Sequence, residues 1–214
     1  MDYTNKSEVY YENSRPEMQK LIPPNINTVL DVGCGRGTMA HNIKQNLEIE
    51  VWGIEFMDSE AKIASKKLDK VIVLKIEEAI EELPDNYFDV IYFNDVLEHL
   101  SYPDIVLKKI KNKLTVKGVI ISSIPNVRYH RVFYSYLFKK DWKYNKSGVM
   151  DFTHLRFFTS KSIQRMYKEA GYEIIHHKGI NRTKSIRPYL YNLLMLFTAF
   201  DMFYVQFATI AKKK

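Results

Sequence analysis

A single cysteine, Cys34, stands among the 214 residues. That excludes an intramolecular disulfide framework and a cysteine-cluster metal centre. The opening MDYTNKSEVYYENSRPEM has no apolar core of the kind a secretory signal requires, so the reducing cytoplasm is the expected location. An uninterrupted membrane-length apolar run is also missing. The longest such stretch, residues 189–211 (YLYNLLMLFTAFDMFYVQFATIA), is broken by Asn192, Asp201 and Gln206, and a central aspartate is costly in hydrocarbon. It therefore reads as a buried helix followed by a strand. The alternative is an amphipathic helix lying peripherally at the inner membrane face, near the lysines of 212–214. Acidic residues are scarce in the second half of the chain. Residues 1–100 carry 10 basic and 19 acidic side chains (10 − 19 = −9), and residues 101–214 carry 22 basic and 6 acidic (22 − 6 = +16), giving the overall +7. Such asymmetry points to different partners for the two halves.

What is present is globular: 46% hydrophobic and 27% charged residues exclude a disordered or fibrous chain. No internal repeat or low-complexity linker appears, so one domain over 1–214 is expected. Strand-like runs at 28–32, 50–56, 70–76, 87–93 and 118–124 alternate with helical patterns at 38–47, 59–68, 77–83 and 103–114. That order predicts an α/β fold with a parallel sheet covered on both faces. The alternation stops at 125–158, a stretch dense in Tyr, Phe, Arg, Lys and His without a clear period. A long irregular insertion in a compact α/β domain is commonly functional, and this one is read as an acceptor-binding lid. Helix 160–170, strand 172–177, helix 186–199 and strand 203–212 complete the pattern.

The strongest local signal is VLDVGCGRG, in which Gly33, Gly35 and Gly37 follow a strand and Asp31 precedes the first glycine by two positions. Glycines at a strand-to-helix turn let a ligand approach the backbone closely. Glu55 closes the second strand twenty residues after Gly35, where an acid accepts hydrogen bonds from ribose hydroxyls. Together with the later FDVIYFNDVLEHL, these residues resemble the class I S-adenosylmethionine-dependent methyltransferases over nearly the whole chain. The resemblance implies a Rossmann-like, seven-stranded, mostly parallel sheet whose last strand is antiparallel, and S-adenosyl-L-methionine as cofactor. It implies that Glu55 binds the ribose, that Asp31 holds the loop and the cofactor amino group, and that Asn94 faces the transferring methyl. The segment YYENSRPEMQKLIPP looks like the helix that leads into this motif in relatives, with Arg15 expected at the cofactor carboxylate. One feature departs from the family. Where relatives commonly place an aspartate against the adenine, this chain has Lys75, so Glu77 or backbone groups around Ile76 are expected to make that contact.

On the acceptor side, Asn94-Asp95-Val96-Leu97-Glu98-His99 follows the fourth strand, the edge at which open α/β sheets carry their chemistry. It resembles the signature of methyltransferases acting on small molecules, ubiquinone-biosynthesis O-methyltransferases among them. The insertion carries IPNVRYH and DFTHLRFFT. That pairing resembles a bacterial subgroup associated with cell-surface polysaccharide and lipopolysaccharide biosynthesis. Aromatic faces pack on sugar rings and arginines hold phosphate or carboxylate bidentately, so Arg128, Tyr129, His130 and Arg156 are expected at the acceptor. An alcohol acceptor benefits from a base near neutral pH. His154 is the first choice, with Asp151 orienting it, and His99 the second. No metal is expected, because no two histidines fall at i, i+4 on one helix and His176 and His177 adjoin in a strand. Ser-His-Asp and P-loop signatures are absent as well.

The residues leave oxygen and nitrogen acceptors both open; the polysaccharide-type resemblance implies O-methylation of a small polar acceptor, a sugar of a glycan or lipid-linked saccharide, carrying phosphate. An aromatic or quinone-like acceptor is the second reading, and a non-enzymatic RNA-associated protein drawn by the basic half the third. Nucleic acid is not the favoured partner, since no RNA-binding module accompanies the basic residues. Oligomeric state and regiochemistry leave no mark in the sequence.

Overall fold

A computed structural model of the chain describes residues 14–214. The part of the expected leading helix that precedes Ser14 lies outside the described residues. A short helix α1 (Pro16–Gln19) opens the structure, followed by β1 (Thr28–Val32), α2 (Thr38–Leu47), β2 (Glu50–Ile54), α3 (Asp58–Ala64), β3 (Lys70–Ile72), α4 (Ile76–Ala79) and β4 (Phe88–Asn94). Then come α5 (Pro103–Ile110), β5 (Leu114–Pro125), α6 (His130–Phe138), α7 (Ser160–Glu169), β6 (Tyr172–Arg182), α8 (Arg187–Leu194) and β7 (Tyr204–Lys213).

The seven strands form one sheet in the order β3-β2-β1-β4-β5-β7-β6. β7 runs antiparallel to both its neighbours, and the remaining pairs are parallel. Side chains alternate along each buried strand, which gives the sheet two apolar faces. Leu30, Val32, Ile91, Phe93 and Ile120 meet α4, α5 and α7 on one face. Val29, Val90, Tyr92, Val119 and Ile121 meet α1, α2 and α3 on the other. Each fully buried Ile or Phe contributes roughly 1.5–3 kcal/mol, so the central strands anchor the fold. Strand order reverses between β1 and β4, and the crevice at their carboxyl ends is where such sheets bind ligands.

Several boundaries shift, β6 running to Arg182 and β5 starting at Leu114, and three segments differ more from their sequence reading. β3 ends at Ile72, not at 76, because its sole partner β2 ends at Ile54 and the ladder closes with Glu55 N–H donating to Ile72 O (3.1 Å). Lys75 consequently stands at the N-terminus of α4. The segment read as a buried helix over 186–199 is the shorter α8, and most of it is exposed. Only Pro188, Tyr191 and Asn192 turn inward, while Leu190, Leu193 and Leu194 face solvent. It stops because Leu196 and Phe197 take left-handed φ values of 50° and 59°, and Asn192 clamps the turn through Ala199 N–H (2.9 Å) and Ala199 O (3.0 Å). The insertion, finally, is not irregular throughout, since it contains α6. No helix among the described residues is long and apolar enough to cross a membrane.

Candidate active site at the carboxyl edge of the sheet

A cleft of about 680 Å³ opens at the carboxyl ends of the central strands. Asp31, Gly33, Gly35, Glu55, Ile76, Glu77, Asn94 and Arg15 all line it. Gly37 does not. It caps α2 at φ 71°, and a Cβ there would stand 3.2 Å from Ala64 Cβ, so its smallness lets α2 pack on α3.

The glycine loop is held from below and from one side. Gly33 and Cys34 donate to Ile54 O (2.8 and 3.1 Å), and Gly35 N–H donates to Glu55 Oε2 (3.0 Å). The other oxygen of Glu55 accepts from Met57 N–H (2.9 Å). One buried carboxylate thus fixes the turns after β1 and β2, and each oxygen keeps a lone pair for a ligand. Gly33 and Gly35 have φ of 70° and 53°, and a Cβ on Gly33 would lie 2.7 Å from Val96 Cγ2; no larger residue fits there without movement.

Asp31 is buried beside this loop. Burial, then the neighbouring Glu55, pushes its carboxyl up to about 7, against the pull of Arg15. Glu55 is raised as well, by burial above all. Two desolvated acids side by side disfavour each other's ionisation, and a positive charge brought beside them would favour it. Arg15 lines the same cleft, but its guanidinium is engaged within the protein: Nη1 with Asp95 Oδ2 (2.5 Å), Nη2 with Ser123 Oγ (2.8 Å) and Nε with Glu17 Oε1 (2.9 Å). Gln206 donates to the other oxygen of Asp95. Asn94 donates to Met39 Sδ (3.2 Å), while its Oδ1 is buried without a hydrogen-bond partner at the cleft wall.

The other end of the cleft is walled by His99, Leu100, Ser101 and Leu155. Leu155 comes from the insertion, which is stitched to the 3-10 turn Leu97–His99 by two donors, Leu155 N–H and Arg156 N–H, on Glu98 O (2.9 and 3.0 Å). The stitching brings two histidines together. The rings of His99 and His154 stand edge to face with centroids 4.8 Å apart. Each imidazole meets a backbone carbonyl through Nδ1: His99 that of Thr153 (3.1 Å), His154 that of Val149 (3.0 Å). Burial, then His154, lowers His99 to about 4, so its ring is neutral at neutral pH. His154 Nε2 lies 4.0 Å from Glu98 Oε1. Glu98 is 1% exposed, and neither of its side-chain oxygens has a hydrogen-bond partner. Ligand atoms of Glu98, His99 and His154 all fall within 4.8 Å of one another.

The sequence-predicted acceptor residues are placed differently from the cofactor set. His99 lines the cleft, and His154 stands behind it. Asp151 accepts from Thr153 N–H (3.0 Å) and Thr153 Oγ1 (2.8 Å), which shapes the turn carrying His154. Arg128, Tyr129, His130 and Arg156 are not among the cleft's lining residues. Arg128 pairs with Asp201 (Nε to Oδ2, 2.5 Å), and Arg156 donates to Ser101 O from Nε (3.1 Å) and Nη2 (2.6 Å) at the rim. His130 is buried against Tyr129 with both ring nitrogens lacking hydrogen-bond partners. Sequence reasoning missed Glu98 as a partner of His154. The two are far apart along the chain, and only the extended return of residues 151–158 across the turn joins them.

A sequence profile described as a methyltransferase domain matches residues 9–177. The chain is 25% identical to a ubiquinone biosynthesis O-methyltransferase of Neisseria meningitidis serogroup C over 163 residues, 71% of this chain and 66% of that protein. It is 32% identical to phosphoethanolamine N-methyltransferase 3 of Arabidopsis thaliana over 100 residues, 44% of this chain and 20% of that protein. The chain thus spans just under two thirds of the first relative's length and a fifth of the second's. Among solved structures, a SAM dependent methyltransferase from Archaeoglobus fulgidus shares the fold with a TM-score of 0.67 at 18% identity, covering 88% of this chain and 87% of that one.

Proposed function

The chain belongs to the methyltransferase-domain family, in class I of the S-adenosylmethionine-dependent methyltransferases, and from that premise we propose that it methylates a hydroxyl of a small polar acceptor, a sugar built into a cell-surface glycan or a lipid-linked saccharide. The observation that carries the reading is His99, a neutral imidazole set in the acceptor end of the same cleft that the glycine loop and two acids form at its other end.

The residues suit the cofactor. Gly33 and Gly35 admit close approach to the backbone, Asp31 and Glu55 offer charge to its cationic groups, and Glu55 keeps acceptor capacity for ribose hydroxyls. Ile76 and Glu77 line the cleft where the adenine is proposed to rest, and the buried Oδ1 of Asn94 meets the cofactor beside the transferring methyl. The bound cofactor supplies a methyl group activated by its sulfonium. The protein's part is to align an acceptor oxygen with that methyl, to exclude water and to handle the hydroxyl proton. His99 is the group that meets the hydroxyl; His154 backs it, and Asp151 fixes the turn that presents His154.

Several features support a saccharide carrying phosphate. The insertion exposes Tyr136, Trp142, Tyr144 and Phe152, faces on which a sugar packs. Arg156 is anchored at the cleft rim by two of its five N–H donors, leaving others for a phosphate oxygen. The apolar exposed side of α8, with Leu190, Leu193 and Leu194 next to Arg187, suits the bilayer interface and would bring the enzyme to a lipid-linked substrate. A second reading, methylation of a quinone-like aromatic hydroxyl, is favoured by the likeness to the Neisseria O-methyltransferase. Transfer of a labelled methyl from the cofactor to separated saccharide, quinone and RNA pools tests these readings. Label in the saccharide pool is the expected result, and label confined to quinones or to RNA refutes the acceptor assignment.

A further inference from the structure

Helices α6 and α8 pack on each other along a narrow aromatic seam. Tyr191 lies against Phe133 and Phe138, with ring centroids 5.2 and 6.3 Å away, and the guanidinium of Arg187 stands 4.9 Å from the Tyr134 ring centroid. Around that seam Leu137, Phe138, Leu190, Leu193 and Leu194 are exposed. The turn after α8 adds Leu196, 83% exposed, and Phe197. Both have left-handed φ values, a conformation disfavoured for any bulky side chain. A turn that served only to reverse the chain would carry glycine or asparagine there; this one carries two large apolar side chains and holds them in solvent. Contiguous apolar exposure of this kind marks an interaction surface.

The charges around it identify the occupant. Residues 130–147 and 182–200 together hold 8 basic side chains and 1 acidic, Asp141 (8 − 1 = +7). Lys139, Lys140 and Lys143 follow α6, while Arg182, Lys184 and Arg187 lead into α8, and all six are exposed. A second copy of this chain, seated face to face, would meet those cations with its own. A nucleic acid would use the cations and gain little from the leucines. An anionic bilayer uses both, its acyl boundary taking the leucines and its headgroup phosphates the lysines and arginines. We propose that α6, α8 and the turn after α8 form a docking face for a membrane surface containing anionic phospholipid.

This face lies at the same edge of the sheet as the cleft. α6 follows the carboxyl end of β5, and the turn after α8 leads into β7, whose Gln206 pairs with Pro125 at that end. Asn126 ties the two approaches together by donating to Asp201 O (2.9 Å) and Tyr204 O (3.0 Å). α6 also belongs to the insertion that contributes Leu155 to the cleft wall. Docking through α6 and α8 therefore sets the carboxyl edge of the sheet by the bilayer. The face deepens the lipid-linked reading of the acceptor and rests on it for its purpose, but the docking needs no acceptor, since two helices and their charges carry it.

The test is flotation of the full chain with vesicles of pure phosphatidylcholine and of equal parts phosphatidylcholine and phosphatidylglycerol, at low and at high salt. Binding to the anionic vesicles is expected, weaker by at least about tenfold on the neutral ones and reduced by salt. Lys139→Gln combined with Lys140→Gln should weaken it roughly thirtyfold, about fivefold per cation. Leu193→Ser combined with Leu194→Ser should weaken it more than about tenfold. None of the four lines the cleft, so native cofactor affinity in both double variants shows that they are folded. Flotation with neither vesicle, equal flotation with both, or native flotation of both variants overturns the docking face. So does binding to single-stranded RNA in place of vesicles, or a dimer that the leucine changes dissolve while vesicles are ignored. Absence of flotation while labelled methyl still enters the saccharide pool removes the face and leaves the methyltransferase reading standing; flotation without methyl transfer to any pool does the reverse.

Discussion

Asp31 offers the sharpest test of the cofactor end. Its carboxyl is pushed from the ordinary 3.8 up to about 7 by burial and by Glu55. Holding it ionised in the empty protein therefore costs about 3 powers of ten, or ~4 kcal/mol. Since the folded value is raised, that cost is absent below 3.8, grows as pH rises towards about 7 and is complete above it. A cationic ligand beside Asp31 reverses the preference, favouring the carboxylate and releasing a proton on binding. Cofactor affinity should then climb about tenfold per pH unit from about pH 5 to the region of 7 and level off, roughly a hundredfold or ~2.7 kcal/mol in all. Glu55, raised in the same direction, adds to the slope, so the Asp31→Asn variant isolates the aspartate. Calorimetry in two buffers of different ionisation enthalpy measures both affinity and protons released. The variant should bind weakly at pH 8, with a flatter profile and less proton release than the native chain. A native affinity that does not change over this range, or an Asp31→Asn profile as steep as the native one, refutes the placement of a cationic group at Asp31.

Three further outcomes follow from contacts already described. Gly33→Ala places a Cβ 2.7 Å from Val96 Cγ2 at a left-handed φ and should cost ~1–3 kcal/mol of stability, read as a lower urea midpoint, with cofactor affinity reduced at least about tenfold. Glu55→Ala removes the acceptor for both Gly35 N–H and Met57 N–H. A loss of ~1–3 kcal/mol in cofactor binding is expected by calorimetry, and an unchanged affinity would show that Glu55 neither shapes nor touches the cofactor site. Asn192→Ala deletes bonds to Pro188 O, Ala199 O and Ala199 N–H. It should lower stability by ~1–3 kcal/mol while leaving cofactor affinity as it was, because Asn192 does not line the cleft.

The gathering of Asp31, Gly33, Gly35 and Glu55 in one cleft was legible in sequence because its determinants are local. Asp31, Gly33 and Gly35 follow one another on one strand and turn, and Glu55 comes directly after the next strand, whose Ile54 is in register with Val32. A spacing rule captures such an arrangement. The acceptor half depends on contacts that no spacing encodes. His99 and His154 meet because the insertion returns across the turn after β4 and bonds Glu98 O, a tertiary event with no periodic trace. The polar interruptions of 189–211 carried information of the same non-local kind. They argued against a membrane-spanning helix, and each has its own partner: Asn192 at the end of α8, Asp201 on Arg128, Gln206 on Asp95. The burial expected of the helix failed for a related reason. Apolar content measures the wish to be covered, and the fold covers only one narrow side of α8.

The charge split between the halves acquires a structural reading when the buried acids are followed one at a time. The first half contributes Asp31, Glu55, Asp95 and Glu98 to the region around the cleft, and Arg15 answers only one of them at contact distance, Asp95. Burial raises Asp31, Glu55 and Glu98, so each stands in an environment that favours a positive charge brought from outside. Asp31 and Glu55 lie at the glycine-loop end, where the sulfonium-bearing cofactor belongs. Glu98 lies beside the packed rings of His99 and His154, with Oε1 4.0 Å from His154 Nε2. Part of the negative excess of residues 1–100 thus lines the cleft, through Asp31, Glu55, Glu77 and Asp95, with Glu98 outside that lining. The second half supplies Ser101 and Leu155 to the cleft wall, and Arg128 and Arg156 are engaged by Asp201 and by Ser101 O at the rim.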